Sequence, residues 1–290
     1  MANITQIIPD IWVVESGVPG PRVVVLGGVH GDELPGVQVV RKLLACDLSS
    51  LVTRGTLTIG IGNPAAVMAN ARFVPGDFDL NRSFGVVPLE CKDSIAVQRA
   101  EALKPFLAAV DVLIDIHATI KPSLPMIISP STADHQLLRE LVSVFGIKKV
   151  ITGPALAADA AGMTTDAFVF QHGGLGITLE TGWMMDTSVV SRVEKAVLAA
   201  LGVIGIAPTA HSMHHEVEIE HYDAYWSVPA SGAFVFTREW DDFALITKGE
   251  CFATDSGVPL VVPQDSYLLF QKPQLLLKAG TEACLMLRRI

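Results

Sequence analysis

Val23-Val24-Val25-Leu26-Gly27-Gly28-Val29-His30-Gly31-Asp32-Glu33 is the stretch on which the reading of this chain turns. Its apolar run suits a buried strand, two glycines permit a tight turn, and a His and a Glu follow three residues apart. That spacing suits two ligands gripping one metal ion from the start of a helix. Zinc is the expected ion, because imidazole and carboxylate both suit it and a catalytic zinc takes three protein ligands plus water. A plainer reading has Glu33 answering the positive end of a helix dipole, with His30 packed in a loop. The pair alone does not decide. A dinucleotide-binding turn fits less well, since the third spaced glycine is missing and Glu33 would repel a pyrophosphate.

A third ligand is offered downstream. In Val112-Leu113-Ile114-Asp115-Ile116-His117, alternation with period two puts Asp115 and His117 on one face at a strand end. A His with a carboxylate two residues earlier can be a ligand with its own orienting group. His30, Glu33 and His117 would make a hydrolytic zinc set, with a fourth position for a water whose pKa falls to about 7. The general base expected beside it is Glu180, which ends the apolar run Leu175 to Leu179. An apolar setting would raise its pKa into the range useful for proton transfer. A further polar stretch runs from Arg72 through Asp77, Asp79 and Asn81 to Arg82. Arginine there could stabilise an oxyanion or pair with a carboxylate, and Asn81 could hold a carboxylate or amide. Taken singly, each of these has a structural explanation, as a capping carboxylate or a salt-bridged surface loop.

The order of these elements carries a resemblance. His30 and Glu33, Asn63-Pro64, Arg72, Asp79-Leu80-Asn81-Arg82, Asp115 and His117, then Glu180 and Gly182 resemble the succinylglutamate desuccinylase and aspartoacylase family, a branch of the zinc carboxypeptidase clan. The resemblance implies one zinc held by His30, Glu33 and His117, with Glu180 as base and then proton donor to the leaving amine. It implies Arg72 on the scissile carbonyl, Asn81 and Arg82 as a carboxylate clamp, and Asp115 as partner of one zinc-bound histidine. The expected activity is removal of the acyl group from an N-acyl amino acid or similar small amide. A metallocarboxypeptidase, or a binding protein that kept the fold without catalysis, are the competing expectations.

The chain also departs from that pattern. Aspartoacylase-like members carry an Arg shortly before the base-bearing strand, whereas no Arg or Lys lies between Thr152 and Glu180. The tail tyrosines Tyr222, Tyr225 and Tyr267 have no matching context, so a doubly charged N-acyl-aspartate is disfavoured for want of a partner. Lys121 and His172 read as loop residues rather than pocket walls. His211, His214, His215 and His221, set among Glu216, Glu218 and Glu220, read as a solvated edge strand rather than a second metal site.

Periodicity sets the fold expectation. Up to about Ala207 short apolar strands alternate with amphipathic helices (Leu34 to Ala45, Asp93 to Ala109, Thr132 to Phe145, Val189 to Gly202). Such alternation argues for an α/β class with a largely parallel sheet flanked by helices, whose ligands sit beyond the carboxyl ends of the strands. The resemblance makes that sheet zinc-carboxypeptidase-like and mixed. After Pro208 only short runs remain, Glu216 to His221, Ala233 to Thr237, Pro259 to Val262 and Leu275 to Lys278. These predict a small all-β C-terminal domain, 209–290, after a catalytic domain, 1–208.

Charge narrows the partners. Thirty acidic residues against 21 basic ones give −9, which disfavours nucleic acid and anionic membrane. No apolar run is long enough to span a bilayer, and the N-terminal residues lack the pattern of a signal peptide. A cytoplasmic protein is expected, acting on a small molecule, with a homo-oligomer left open. Its four scattered cysteines read as reduced thiols.

Overall fold

The run that opens the motif, Arg22–Gly27, is a central strand of a large sheet, and its side chains alternate between two apolar cores. Val23 and Val25 pack on one face, Val24 and Leu26 on the other. A strand buried on both faces needs no polar alternation, which is why it reads as a continuous apolar run.

The computed structural model describes residues 2–132, 135–157, 162–208 and 218–290. The first part carries strands β1 (Asn3–Ile8), β2 (Ile11–Glu15), β3 (Arg22–Gly27), β4 (Thr56–Ile61), β5 (Val112–Thr119), β6 (Met126–Ile128), β7 (Lys149–Thr152) and β8 (Leu175–Trp183). Its helices are α1 (Leu34–Leu44), α2 (Leu48–Leu51), α3 (Pro64–Ala69), α4 (Ile95–Leu107), α5 (Gln136–Phe145), α6 (Thr165–Gln171) and α7 (Val190–Ile204). The remainder is β9 (Glu220–Pro229), β10 (Phe234–Phe236), β11 (Ala244–Ile246), β12 (Cys251–Asp255), β13 (Val258–Val261), β14 (Ser266–Leu269) and β15 (Glu282–Arg289).

Twelve strands form one sheet, in the order β1-β2-β4-β3-β5-β8-β6-β7-β9-β15-β14-β11. Its centre, β4-β3-β5-β8, is parallel, while β6 runs antiparallel to β8. Helices α1, α5 and α7 cover one face through Val37, Leu141 and Val197; α4 and α6 cover the other through Leu103 and Phe168. The class is therefore mixed α/β, with helices flanking the sheet. A second, three-stranded sheet, β10-β12-β13, packs with the tail strands around Phe234, Phe252 and Trp240.

The twelve-stranded sheet does not stop where α7 ends. Strand β9 pairs in parallel with β7, with Val150 opposite His221, and β15 and β14 follow. The tail run Leu275 to Lys278, expected as a strand, is not one: Gln274–Leu276 is a single 3-10 turn after Pro273, and Leu275 is exposed with no strand to pair. Of the tail histidines, His221 lies in β9, whereas His211, His214 and His215 lie outside the described residues. No helix among the described residues is long and apolar enough to cross a membrane.

Candidate metal centre

The turn after β3 is built for close approach. Gly28 has φ +67, a left-handed conformation that L side chains rarely adopt, and a Cβ on Gly31 would lie 2.0 Å from the Ala66 carbonyl carbon. These glycines let His30 and Glu33 turn back over the carboxyl ends of β3 and β5. Glu33 occupies the cap position of α1, but its carboxylate makes no capping bond. Instead Oε2 accepts the Ala118 backbone N–H at 2.9 Å.

Three donor groups converge. His30 Nδ1 lies 2.6 Å from Glu33 Oε1, His117 Nδ1 lies 2.9 Å from Glu33 Oε2, and the two Nδ1 atoms are 3.2 Å apart. All three residues are buried. Electron-pair donors held this close repel one another unless a proton or a cation lies among them. Zinc bonds of about 2.0–2.1 Å in tetrahedral array would set neighbouring ligands about 3.3 Å apart, so the donor set fits that ion. Burial would raise the Glu33 pKa, yet His30 and His117 hold it far below the carboxylate range. Burial would lower His117, but Asp115 and Glu33 push it well above the usual imidazole value. A bound cation would replace the protons these groups otherwise compete for.

Each imidazole is oriented from behind by a carboxylate. His30 Nε2 is 3.2 Å from Asp79 Oδ1, and His117 Nε2 is 3.1 Å from Asp115 Oδ2. The second contact lies off hydrogen-bond geometry, so among the described residues His117 Nε2 has no hydrogen bond; Asp115 Oδ1, the other oxygen, has none either. Carboxylates placed there would leave Nδ1 as the atom available to hold an ion. Asp115 therefore partners His117. Asp79, which the sequence presented only as part of a motif, partners His30 and also accepts Arg72 Nε at 3.2 Å.

The remaining expected residues surround this cluster. Glu180 lines the cavity, and its Oε2 is buried without a hydrogen-bond partner. Burial, then the neighbouring Glu33 charge, raise its pKa to about 7 against the opposing pull of His117, His30 and Arg72. Arg72 Nη1 is 3.6 Å from Glu33 Oε1. Asn81 accepts the Thr165 N–H through Oδ1 at 3.1 Å, and Arg82 donates to the Asn81 carbonyl at 2.7 Å. His30, Glu33, Arg72, Asn81, Arg82, His117 and Glu180 thus share one cavity of about 520 Å³.

Sequence reading missed several walls of that cavity. Thr164 and Asp166 come from α6 and its cap; Trp240, Gln271, Lys272 and Glu282 come from the tail. Lys121 also lines it, tied to Glu239 at 2.6 Å. His172 faces elsewhere, stacked 4.2 Å from Phe168 and bonded through Nδ1 to the Phe168 carbonyl. The cysteines are free thiols.

Residues 19–202 match the family described as the succinylglutamate desuccinylase/aspartoacylase catalytic domain. The chain is similar to an N-acyl-aromatic-L-amino acid amidohydrolase (carboxylate-forming) of Xenopus laevis, 36% identical over 110 residues that cover 35% of each chain. It is also similar to a succinylglutamate desuccinylase of Burkholderia thailandensis, 30% identical over 195 residues, 60% of this chain and 54% of that one. These matches thus span between about a third and about half of the relatives' length. Among solved structures, succinylglutamate desuccinylase from Vibrio cholerae superposes with a TM-score of 0.79 at 18% identity, covering 100% of this chain and 91% of that one. At that identity the likeness is one of fold.

Proposed function

Because the chain belongs to the succinylglutamate desuccinylase/aspartoacylase family, we propose that it is a zinc-dependent amidohydrolase that removes the acyl group from an N-acyl amino acid or similar small amide. The observation that carries this reading is the convergence of His30, Glu33 and His117 within 4.8 Å, with Glu180 at the same cavity. Zinc, when bound, would lower the pKa of a coordinated water toward neutrality and polarise a carbonyl.

The chain's own groups supply the rest. Glu180 takes a proton at a carboxylate oxygen and delivers it to the leaving amine nitrogen; its unpartnered Oε2 at the cavity, and the burial that raises its pKa in the metal-free protein, support both halves of that exchange. Arg72, anchored through Nε on Asp79, offers its terminal N–H groups to the oxygen on which negative charge develops. With its Oδ1 engaged by Thr165, Asn81 keeps its Nδ2 amide as a donor. Asn81 and Arg82 then clamp one carboxylate.

Two cations on the cavity wall, set among several carboxylates, support an anionic substrate. Among the described residues Arg82 and Lys272 have no ion-pair partner within 4.0 Å, although both line the cavity. Burial, then Arg82, lower the Lys272 pKa. Lys272 thereby answers the objection that a second carboxylate would lack a partner. Residues 1–208 act in this proposal as the catalytic domain, and 209–290 as the β-rich domain that walls its cavity.

The test is product analysis with zinc-loaded protein on a panel of N-acyl amino acids and dipeptides. Free amino acid released from N-acyl substrates supports the proposal. Release from dipeptides alone would make the protein a carboxypeptidase. Absence of stoichiometric zinc after metal loading would overturn both.

A further inference from the structure

Thr165 is neither one of the three clustered donors nor a cavity-lining residue, yet it is bonded to Asp115, the carboxylate behind His117, and to Asn81, which lines the cavity. It is wholly buried at the first position of α6. Its hydroxyl donates to Asp115 Oδ2 at 2.5 Å, and its backbone N–H donates to Asn81 Oδ1 at 3.1 Å. Among the described residues Asp115, itself wholly buried, has no other side-chain partner than this hydroxyl and the Nε2 edge of His117. The segment before Thr165 is pinned to the Asn81 side as well. Ser83 and Met163 form a parallel bridge, and the Phe84 N–H donates to the Met163 carbonyl at 3.3 Å.

Building on the proposed amidohydrolase reading, we propose that Thr165 is the positioning residue that fixes the metal ligand His117 and the substrate clamp Asn81 at a set separation. Its hydroxyl aims the Asp115 carboxylate at His117, and its N–H turns the Asn81 amide so that Nδ2 faces the substrate. A buried carboxylate with so few partners loses its fixed direction when one of them is removed. The orientation of the imidazole behind which it stands loosens with it. The same short helix terminus thus sets two parts of the site that come from different strands and loops.

The two bonds can be cut separately. Thr165→Val deletes the hydroxyl and keeps the N–H. Thr165→Pro deletes both, at a position where proline suits a helix: it is the first helical residue, and Thr164 before it is extended, at φ −82 and ψ 166. Zinc affinity is measured by chelator competition, and KM on the N-acyl amino acid that the wild-type protein hydrolyses.

Thr165→Val is expected to weaken zinc binding about 10- to 100-fold, with KM at saturating zinc unchanged. Thr165→Ser is expected to restore the affinity. Thr165→Pro should weaken zinc similarly and also raise KM. Wild-type zinc affinity in Thr165→Val, or no recovery in Thr165→Ser, overturns the hydroxyl's role; a KM in Thr165→Pro no higher than in Thr165→Val overturns the role of the N–H. Failure of the wild-type protein itself to bind zinc or to hydrolyse the panel would instead overturn the underlying amidohydrolase reading.

Discussion

Glu180 and His117 are partners across the parallel ladder between β8 and β5. The proposed proton-transfer group and a proposed metal ligand therefore sit on adjacent strands of the rigid centre of the sheet, rather than on loops. That placement makes the first prediction sharp. Glu180→Gln keeps the shape of the side chain and removes its basicity. Zinc content by elemental analysis should stay at one per chain, while kcat falls at least about 10²- to 10⁴-fold. A variant with near wild-type turnover would remove Glu180 from this role.

The same residue makes the metal-free protein sensitive to pH. Its pKa is about 7 in the fold, against about 4.3 in an unfolded chain. The raised value means the fold favours the protonated form, so this contribution is complete below about pH 4 and is lost as pH rises through 7. Metal-free Glu180→Gln should thus be more stable than metal-free wild type at pH 8, by up to roughly 4 kcal/mol. At pH 4 the two should converge. Urea melts at both pH values measure the difference, and equal stability at pH 8 would contradict it.

Asp79 holds His30 with one oxygen and Arg72 with the other. Asp79→Ala should therefore damage two functions at once. Zinc affinity should drop about 10- to 100-fold, and kcat should stay low even at saturating zinc, because Arg72 loses its anchor. Full recovery of kcat on adding zinc would show that Arg72 is positioned by something else.

Lys272 supplies a cation to the cavity without an ion pair of its own among the described residues. Lys272→Met should raise KM for N-acyl substrates with two carboxylates about 10- to 100-fold, matching about 1.5–3 kcal/mol for a hydrogen bond to a charged group. Substrates with one carboxylate should change little. Comparing KM for N-acetylaspartate and N-acetylalanine separates the cases, and an equal change in both would assign Lys272 a merely structural part.

Removing the metal should also loosen the fold. A ligand present at a hundred times its Kd stabilises a native protein by about 2.7 kcal/mol. Chelator-treated protein should melt at a lower temperature than zinc-loaded protein, and Glu33→Gln should narrow that gap. Identical melting curves with and without zinc would argue against a bound ion.

Much of this was legible in the sequence because the parts announce themselves locally. The run before His30, the alternation that aligns Asp115 with His117, and the apolar strand ending at Glu180 each fall within about ten residues. Strand β7, only Lys149–Thr152, is too short to show a period, and β1 is largely exposed and so lacks an apolar face. Helix α6 spans seven residues, less than two full turns, and it escaped the same way. Thr165 and Lys272 were illegible for another reason. Each earns its place through chain segments dozens of residues away, such as Asp115 and Arg82, and no local pattern records that meeting.

The pairing of β7 with β9 has a mechanical consequence. An unbroken ladder from β1 to β11 carries both the metal side of the cavity and its tail wall. Backbone hydrogen bonds along that ladder resist any swing of its strands against one another, so the strand-borne part of the cavity is a casting mould rather than a jaw. Substrates are then sorted by whether they fit a cavity whose strand-borne walls keep a set spacing.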